Sequence, residues 1–386
     1  MKKRALSFIL AACMTFSMLP VSALADFAEN FSMTKTQNAH ENCGLNHGSA
    51  VVKSIDATAD DAERQLRAAL ADESIEDVVL KGNNATITLT EQLLVSGTKH
   101  LSVAKGSSVT LKRGSTAYSL IGVRSGATLI LGDGAIAYTD STLEESAKQG
   151  NYEVSQAGGK LVLDGGAVWQ KGAAFDKATP NFSGNTNGKS AVFYDEADET
   201  QYVYSNTGMT STETLISNNG RLDIWGDTTL QNNAKTSNCG AAIYSANQSN
   251  LNLYGGEIKR CATAGNADAG HGAVFVGTES GDWTNKYATA VATFQMYGGK
   301  ITNNTASGHG FTDGGGVALN QAAMKLYGGE VSYNMAGTKN GSSAGDGGGI
   351  MVRIGSVLDM YGGSVNHNHA GGYGGGIVAW NGDVNI

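Results

Sequence analysis

Two aspartates are the residues best suited by type and spacing to acid–base chemistry. Asp313 and Asp346 each stand directly before a run of three glycines in a repeated part of the sequence. If the repeats stack, the two carboxylates lie about 5 Å apart and could share a proton or bind Ca²⁺. The competing interpretation, which we prefer, is that each carboxylate accepts hydrogen bonds from the backbone of the following turn. We therefore assign no catalytic role and expect no resident cofactor.

Histidines and a cysteine offer two weaker candidate sites. His271 and His309 each lie between two glycines, and histidine can act as a general acid or base. A chain with 53 glycines places some histidines beside glycine by chance, however. Further upstream, the spacing of His40, Cys43 and His47 could bring three metal ligands together. No fourth ligand is evident nearby, so we expect no metal site there.

A column of aromatic residues is the best candidate for a ligand surface. Five copies of a repeated segment each carry one ring directly before a glycine turn, at a position that points outward from a strand. Rings about 5 Å apart could stack on the sugar rings of an extended glycan. The competing interpretation is that the rings stack on one another and cover the turn. The column consists of Trp225, Tyr254, Tyr297, Tyr327 and Tyr361.

An internal repeat brings these residues back at regular intervals. Its marker is an apolar-x-apolar-Tyr-Gly-Gly segment that recurs about every 30 residues. Alternate residues of each copy are apolar, which predicts a short strand with one buried face. Such a strand is stable only when copies stack on one another. Clear copies begin at Leu251, Phe294, Met324 and Leu358, and weaker copies begin at Leu129, Leu161 and Leu222.

A column centred on asparagine follows the marker. A side-chain amide both donates and accepts hydrogen bonds, so stacked amides can bond along the repeat axis and satisfy the backbone of the turn. We interpret this column as a structural ladder. Cys261 takes one of its positions, and a disulfide between Cys261 and Cys239 stays open as an alternative. The ladder consists of Asn233, Cys261, Asn304, Asn334 and Asn368.

Three strands and three turns in each repeat predict the fold class. We expect an all-β protein, a right-handed single-stranded parallel β-helix, in which glycines allow the sharp turns. Residues at about 59–72 have the periodicity of a short amphipathic helix, which would cap the open edge of the first coil. The β-helix is expected to span residues 57–386, with its clearest repeats at 215–386. Its last coil stops at Ile386 in mid-repeat, as a truncated chain would.

The N-terminus predicts export from the cytoplasm. Three basic residues precede an apolar stretch, and Ala23 and Ala25 supply the small residues of a cleavage site, so residues 1–25 are expected to be a signal peptide. A lipidation motif ending at Cys13 is an alternative. Residues 26–56 are expected to be a polar leader or linker. No later apolar segment is long enough to span a membrane. The expected location is therefore secreted or cell-surface.

The charge of the chain excludes nucleic acid as the expected partner. The sequence has 27 Lys and Arg against 35 Asp and Glu, which gives a formal net charge of −8. A phosphate backbone requires a basic face. The partner that we expect is an extended glycan or a molecule on a host or cell surface.

The repeat also resembles a known group of proteins. Asn-x-Ala followed by Gly-Gly-Gly-Val or Gly-Gly-Gly-Ile is similar to the repeats of bacterial surface β-helix proteins, including the polymorphic outer-membrane-protein type, in the pectate-lyase-like superfamily. The resemblance covers residues 215–386 well and residues 78–214 loosely. It implies a right-handed parallel β-helix with asparagine stacks, and the superfamily contains both adhesins and polysaccharide-degrading enzymes.

The resemblance also bears on catalysis. Glycosidases of this superfamily use clustered aspartates together with a Gly-His-Gly segment. The Asn-Thr-Asp and Asp-Asp segments of those enzymes are missing at a suitable distance before His271 and His309. We therefore expect a non-catalytic protein for adhesion or glycan contact. A carbohydrate-active lyase or hydrolase and a purely structural stalk are the alternatives.

Overall fold

Alternating apolar and polar residues form short strands throughout the chain. The computed structural model describes residues 35–39, 51–114, 118–174, 191–195, 200–204, 213–235, 239–265, 269–278, 291–308, 311–337 and 345–386. Within these ranges two helices accompany strands that pair mostly in parallel. The prediction of an all-β protein with parallel sheets is confirmed.

The first parallel sheet has ten strands. Its register places equivalent repeat residues side by side, because Leu251 pairs with Phe294, which in turn pairs with Met324. In sheet order, the strands are Val51–Asp56, Ile75–Lys81, Thr98–Val103, Thr128–Leu131, Arg221–Ile224, Asn250–Leu253, Ala292–Met296, Ala322–Leu326, Val357–Met360 and Asp383–Asn385.

The second parallel sheet has eleven strands and follows the glycine pairs. Ile258 pairs with Ile301, which pairs with Val331. Its main strands are Ala85–Leu89, Ser108–Arg113, Lys160–Asp164, Thr228–Lys235, Glu257–Gly265, Lys300–Thr302, Glu330–Ser332 and Ser364–Asn366. Three short strands extend it, namely Thr305–Gly308, Met335–Ala336 and His369–Ala370.

The third parallel sheet has eight strands and follows the glycine clusters. Val274 pairs with Val317, which pairs with Ile350. The strands are Leu93–Val95, Ile121–Val123, Ile216–Asn218, Ile243–Ser245, Val274–Gly277, Val317–Asn320, Ile350–Val352 and Ile377–Ala379.

Successive strands belong to the three sheets in rotation. Ile75–Lys81 lies in the first sheet, Ala85–Leu89 in the second, Leu93–Val95 in the third, and Thr98–Val103 returns to the first. Apolar side chains of all three sheets meet in one core, because each strand buries alternate residues. Its members include Leu253, Ile258 and Val274.

Helix α1, Ala62–Ala71, lies within the segment where the sequence predicts a helix. Its polar side forms hydrogen bonds with the neighbouring turn. The backbone N–H of Thr90 donates to Glu63 at 2.7 Å, and Arg67 donates to the backbone oxygen of Gln92 at 2.7 Å. Its apolar side packs into the core. The buried residues of the helix are Ala62, Leu66, Ala69 and Leu70.

The first sheet begins earlier than the boundary expected at residue 57. Val51–Asp56, inside the expected leader, pairs in parallel with Ile75–Lys81. The physical reason is Ile55, whose side chain is fully buried in the core. The expected signal peptide at 1–25 and four candidate residues lie outside the described residues. Those candidates are His40, Cys43, His47 and His309.

A hairpin that we call the strap, Asp133–Ala157, is built differently from the parallel sheets. It consists of the strand Asp133–Tyr138, helix α2 at Leu143–Lys148 and the strand Tyr152–Ala157, and the two strands pair antiparallel. Lys35–Asn38 adds a third antiparallel strand.

Two smaller sheets complete the described structure. One is antiparallel and contains Gln170–Ala174, Thr200–Tyr204 and Ala191–Asp195, and the other pairs Ala269–His271 with Phe311–Asp313 in parallel. Neither of the described helices has the length and apolar character that crossing a membrane requires.

Candidate functional site

The asparagine column forms a hydrogen-bonded ladder along the stack. The backbone N–H and the side-chain Nδ2 of Asn304 both donate to Oδ1 of Asn334, at 3.2 and 3.0 Å. Asn334 donates in the same way to Asn368, at 2.9 and 3.0 Å. Nδ2 of Asn334 also donates to the backbone oxygen of Ile301 at 2.9 Å. These buried amides are therefore satisfied within the protein.

The residue before each of these ladder positions has a left-handed backbone. The φ angle is 52° at Arg260, 57° at Asn303, 54° at Tyr333 and 51° at His367. For a residue other than glycine this conformation costs about 1–2 kcal/mol, and the ladder hydrogen bonds that it permits offset the strain. The side chains at this position differ from repeat to repeat, so no single residue type marks it in the sequence.

Cys261 continues the ladder with a thiol in place of an amide. Its backbone N–H donates to Oδ1 of Asn304 at 3.0 Å, and its sulfur accepts from the backbone N–H of Asn233. Burial raises the pKa of the Cys261 thiol to about 12, so the thiol is neutral. No disulfide joins Cys239 and Cys261, both of which are buried. Below Asn233 stands the buried guanidinium of Arg113, whose NH2 lies 3.4 Å from Oδ1 of Asn233.

The two candidate aspartates stand side by side on adjacent repeats. Asp313 and Asp346 form a parallel bridge, and they are only 2% and 6% exposed. The guanidinium of Arg353 donates to Asp313, and the backbone N–H of Tyr373 donates to Oδ1 of Asp346 at 2.7 Å. One carboxylate is therefore held in an ion pair, and the other caps the backbone of the next turn.

His271 belongs to the same buried cluster. It pairs with Asp313 in the backbone register, and its Nε2 lies 3.1 Å from the guanidinium of Arg353. A guanidinium can only donate, so Nε2 accepts and the ring proton is on Nδ1. Burial, assisted by the charge of Arg353, holds the pKa of His271 well below its usual value. Burial likewise raises the pKa of Asp313, although Arg353 opposes that shift.

Arg353 is the member of this cluster that the sequence did not single out. It directly follows the apolar strand Ile350–Val352, where Asn320 and Trp380 occupy the equivalent positions of the neighbouring repeats. Arg353 is 4% exposed, and a charged residue is almost never so deeply buried without a partner. The available signal was a charge at a position that is uncharged in both neighbouring repeats, one repeat after Asp313.

The aromatic column is a stack of nearly parallel rings. The ring centroids of Trp225 and Tyr254 are 3.9 Å apart, and the next three steps are 5.0, 4.9 and 5.3 Å. Trp225, Tyr254, Tyr297 and Tyr327 are at most 5% exposed, whereas Tyr361 is 43% exposed. The outward strip expected from the sequence is therefore open only at Tyr361.

The strap covers the other rings. Tyr152 donates from its hydroxyl to the backbone oxygen of Tyr297 at 2.7 Å, and its ring meets the Tyr297 ring edge-on at 6.0 Å. Ile136 and Ala147 of the strap pack into the same apolar cluster as the buried rings. The sequence showed that the rings point outward from their strands. It did not show that the strap, a segment far away along the chain, packs over them.

The glycine pairs make room for this cover as well as for the turn. The second glycine of a pair has a positive φ, 82° at Gly299 and 85° at Gly329. At the first glycine, Gly328, a Cβ would lie 2.2 Å from the hydroxyl of Tyr152 and 2.6 Å from the backbone oxygen of Tyr297. A side chain there would displace the strap.

The sequence of the strap contains a local signal for helix α2. Thr142 and Glu145 have the spacing of a capping box, and the Thr142 hydroxyl accepts a hydrogen bond from the Glu145 N–H at 3.2 Å. This spacing marks the start of helix α2.

Neither the grouping of possible metal ligands nor comparison with known proteins assigns a function to these clusters. Within the described ranges, no three His, Cys, Asp or Glu side chains are grouped so that they could hold a metal ion. Comparisons with protein-family models, curated proteins and solved structures found no match. The resemblance to surface β-helix repeats therefore depends on the sequence motifs alone.

We predict that Arg353→Met destabilises the protein most at neutral and higher pH. The substitution leaves the Asp313 carboxylate buried without its ion pair, which costs about 3 kcal/mol. Burial raises the folded-state pKa of Asp313 and the charge of Arg353 opposes that shift, so the substitution raises this pKa further and folding then favours the protonated carboxyl more strongly. The stability from this group is present below the unfolded pKa and is lost as the pH rises through the folded pKa. Urea unfolding of both proteins between about pH 4 and 8 measures the difference.

The double variant Asp313→Asn, Arg353→Met is the control for that measurement. It removes both charges, so it should recover most of the lost stability and reduce the pH dependence. A loss in Arg353→Met that is the same at every pH, or a double variant no more stable than the single one, would contradict the ion-pair account.

We predict that Tyr297→Ala lowers the free energy of unfolding by about 3 kcal/mol or more. The substitution leaves a cavity between two stacked rings and beneath the strap. Tyr361→Ala, in the same column but half exposed, should cost less than about 1.5 kcal/mol. Denaturant unfolding of the two variants gives the comparison, and equal losses would argue against burial of the column.

Proposed function

We propose that the three parallel sheets are the three faces of a right-handed parallel β-helix. The rotation of successive strands among the sheets and the in-register pairing of repeats support this arrangement. Right-handedness is proposed because crossovers between parallel strands are almost always right-handed. In this arrangement helix α1 covers the first coils, where it packs its apolar side into the core.

We further propose that the protein is an exported, non-catalytic scaffold at the cell surface or outside the cell. Its role would be to present a long, rigid face for adhesion to an extended glycan or another surface molecule. The observation that carries this proposal is the strap, which ties together coils that are distant in sequence. Tyr152 contacts Tyr297, Glu144 pairs with Lys325 at 2.6 Å, and Lys148 lies 5.8 Å from the ring centre of Tyr361.

Rigidity follows from the direction of these contacts. The ladder bonds each coil to the next, and the strap runs along the stack and contacts several coils. Separating two coils would therefore break ladder hydrogen bonds and strap contacts together. Such a construction suits a protein that must keep its shape while it is attached at a surface, and the expected signal peptide at 1–25 agrees with export.

The enzyme alternative receives little support from the candidate groups. A general acid or base must reach the proton that it transfers, directly or through one water. Asp313 is buried and paired with Arg353, and His271 is buried in the same cluster. A polymeric substrate would have to displace packed coils to reach them. The structural stalk differs from our proposal only in having no ligand.

The proposal predicts retention of the protein on a surface polymer without cleavage. The exported chain would be incubated with immobilised neutral and acidic polysaccharides, with and without Ca²⁺. Bound protein and new reducing or unsaturated ends would be measured together. We expect bound protein and no new ends. New ends that persist after repurification, and that disappear in the double variant Asp313→Ala, Asp346→Ala, would contradict the non-catalytic proposal. If the protein neither binds nor cleaves any of the polysaccharides, the result would favour the structural stalk.

A further inference from the structure

A polar groove runs beside the strap, at the corner where the first sheet turns into the second. It has a volume of about 600 Å³ and lies outside every candidate site described above. Its floor contains Gly226, Gly256 and Gly299. These three residues have no side chains, so they expose backbone to the groove, and Thr228 and Thr229 line it between them.

The groove follows the direction of stacking. On one side stand the first outward residues of the second sheet, where Thr229 pairs with Glu257 and Glu257 pairs with Lys300 in adjacent strands. On the other side Gln156 of the strap lines the groove. From the level of Lys160 to that of Lys300 the groove crosses three strand spacings, about 14 Å. A short segment of an extended chain fits this length.

The charges along the groove cancel. Lys160 and Lys300 contribute two positive charges, and Asp227 and Glu257 contribute two negative charges. Lys160, Asp227 and Lys300 are exposed, and Glu257 is half-buried, so all four can reach a ligand. A strongly anionic or cationic polymer would meet as much repulsion as attraction here. A neutral ligand with many hydroxyl groups matches this mixture of donors and acceptors, because each hydroxyl can both donate and accept.

We infer that this groove binds a short segment of a neutral polysaccharide. The inference rests on the proposed contact role and moves the contact from the covered ring column to the glycine-floored groove. An extended peptide fits less well. A peptide strand binds through the main chain of an exposed strand edge, whereas the strands of the second sheet cross this groove and offer side chains. Of the strap, only Gln156 lines it.

The test measures binding of neutral hexasaccharides of glucose, mannose or xylose to the full exported chain by calorimetry and by saturation-transfer NMR. Hexagalacturonate is the anionic comparison, and a serine-glycine hexapeptide is the peptide comparison. We expect at least one neutral hexasaccharide to bind with a dissociation constant of about 1 mM, and hexagalacturonate and the peptide to bind at least about tenfold more weakly.

Two variants locate the site. Glu257→Ala, Lys300→Ala removes two groove charges whose ion pairs, with Lys259 and Glu330, are on the surface and contribute little to folding. Gln156→Trp fills the groove from the strap side at an exposed position. Each should weaken binding at least about tenfold. The control Glu91→Ala, Lys112→Ala removes one acid and one base at exposed positions elsewhere and should change binding less than about twofold.

Each outcome decides the inference. Absence of binding by every neutral hexasaccharide up to about 10 mM overturns it, as does undiminished binding by folded groove variants or tighter binding of hexagalacturonate or the peptide. If Glu257→Ala, Lys300→Ala does not fold, Gln156→Trp decides. Retention on polysaccharide without oligosaccharide binding in the groove would leave the scaffold proposal standing and remove this site, whereas cleavage products would contradict the scaffold proposal itself.

Discussion

The hydrogen bonds of the asparagine ladder are the interaction on which the rest of the structure depends. Each strand is too short to be stable alone, so the repeats must be held in one register along the parallel sheets. Asn304 and Asn334 do this with two hydrogen bonds each to the next amide. A buried amide left without partners costs about 1–3 kcal/mol. A slip of one residue would leave several such groups unpaired, and it would also turn the apolar faces outward.

Once the register is fixed, every other repeated residue forms its own column. The tyrosines stack ring on ring, the glycine pairs leave backbone uncovered at the turn, and Asp313 and Asp346 meet on adjacent repeats. Each column has a different physical consequence. The rings form an apolar surface that the strap covers, the glycines leave space for the strap and the groove, and the paired carboxylates require the charge of Arg353.

Much of the fold was predictable because it depends on local patterns that the repeat shows several times. Period-two alternation around Leu251 and Met324 gave the strands, and the amphipathic spacing around Leu66 gave helix α1. The positions of the Asn334 and Tyr297 columns followed from the marker spacing. These features need only neighbouring residues and a regular repeat.

The features that the sequence did not reveal depend on contacts between distant segments. The strap contacts Tyr297 from Tyr152, and Arg353 reaches back to His271 across two repeats. Tyr152 lies outside the regular repeat, and the residues equivalent to Arg353 in the neighbouring repeats are Asn320 and Trp380, so the repeat pattern does not link either residue to its partner. The sequence correctly predicted that the tyrosine side chains point outward from their strands. Their exposure to solvent also depends on which segment packs over them, and here the strap does. For the same reason the groove beside Gln156 could not be found from the second sheet alone.

The central claim is that one side-chain amide holds the register of the adjacent repeat, and hydrogen exchange tests it most directly. The Asn304 backbone N–H donates to Oδ1 of Asn334, whereas the Val317 N–H donates to the backbone oxygen of Gly349 in another sheet. Exchange of both amides would be followed by NMR in the natural protein and in Asn334→Ala. The account predicts that exchange of the Asn304 amide becomes at least about tenfold faster relative to that of Val317. Equal protection of the Asn304 amide in the two proteins would contradict it.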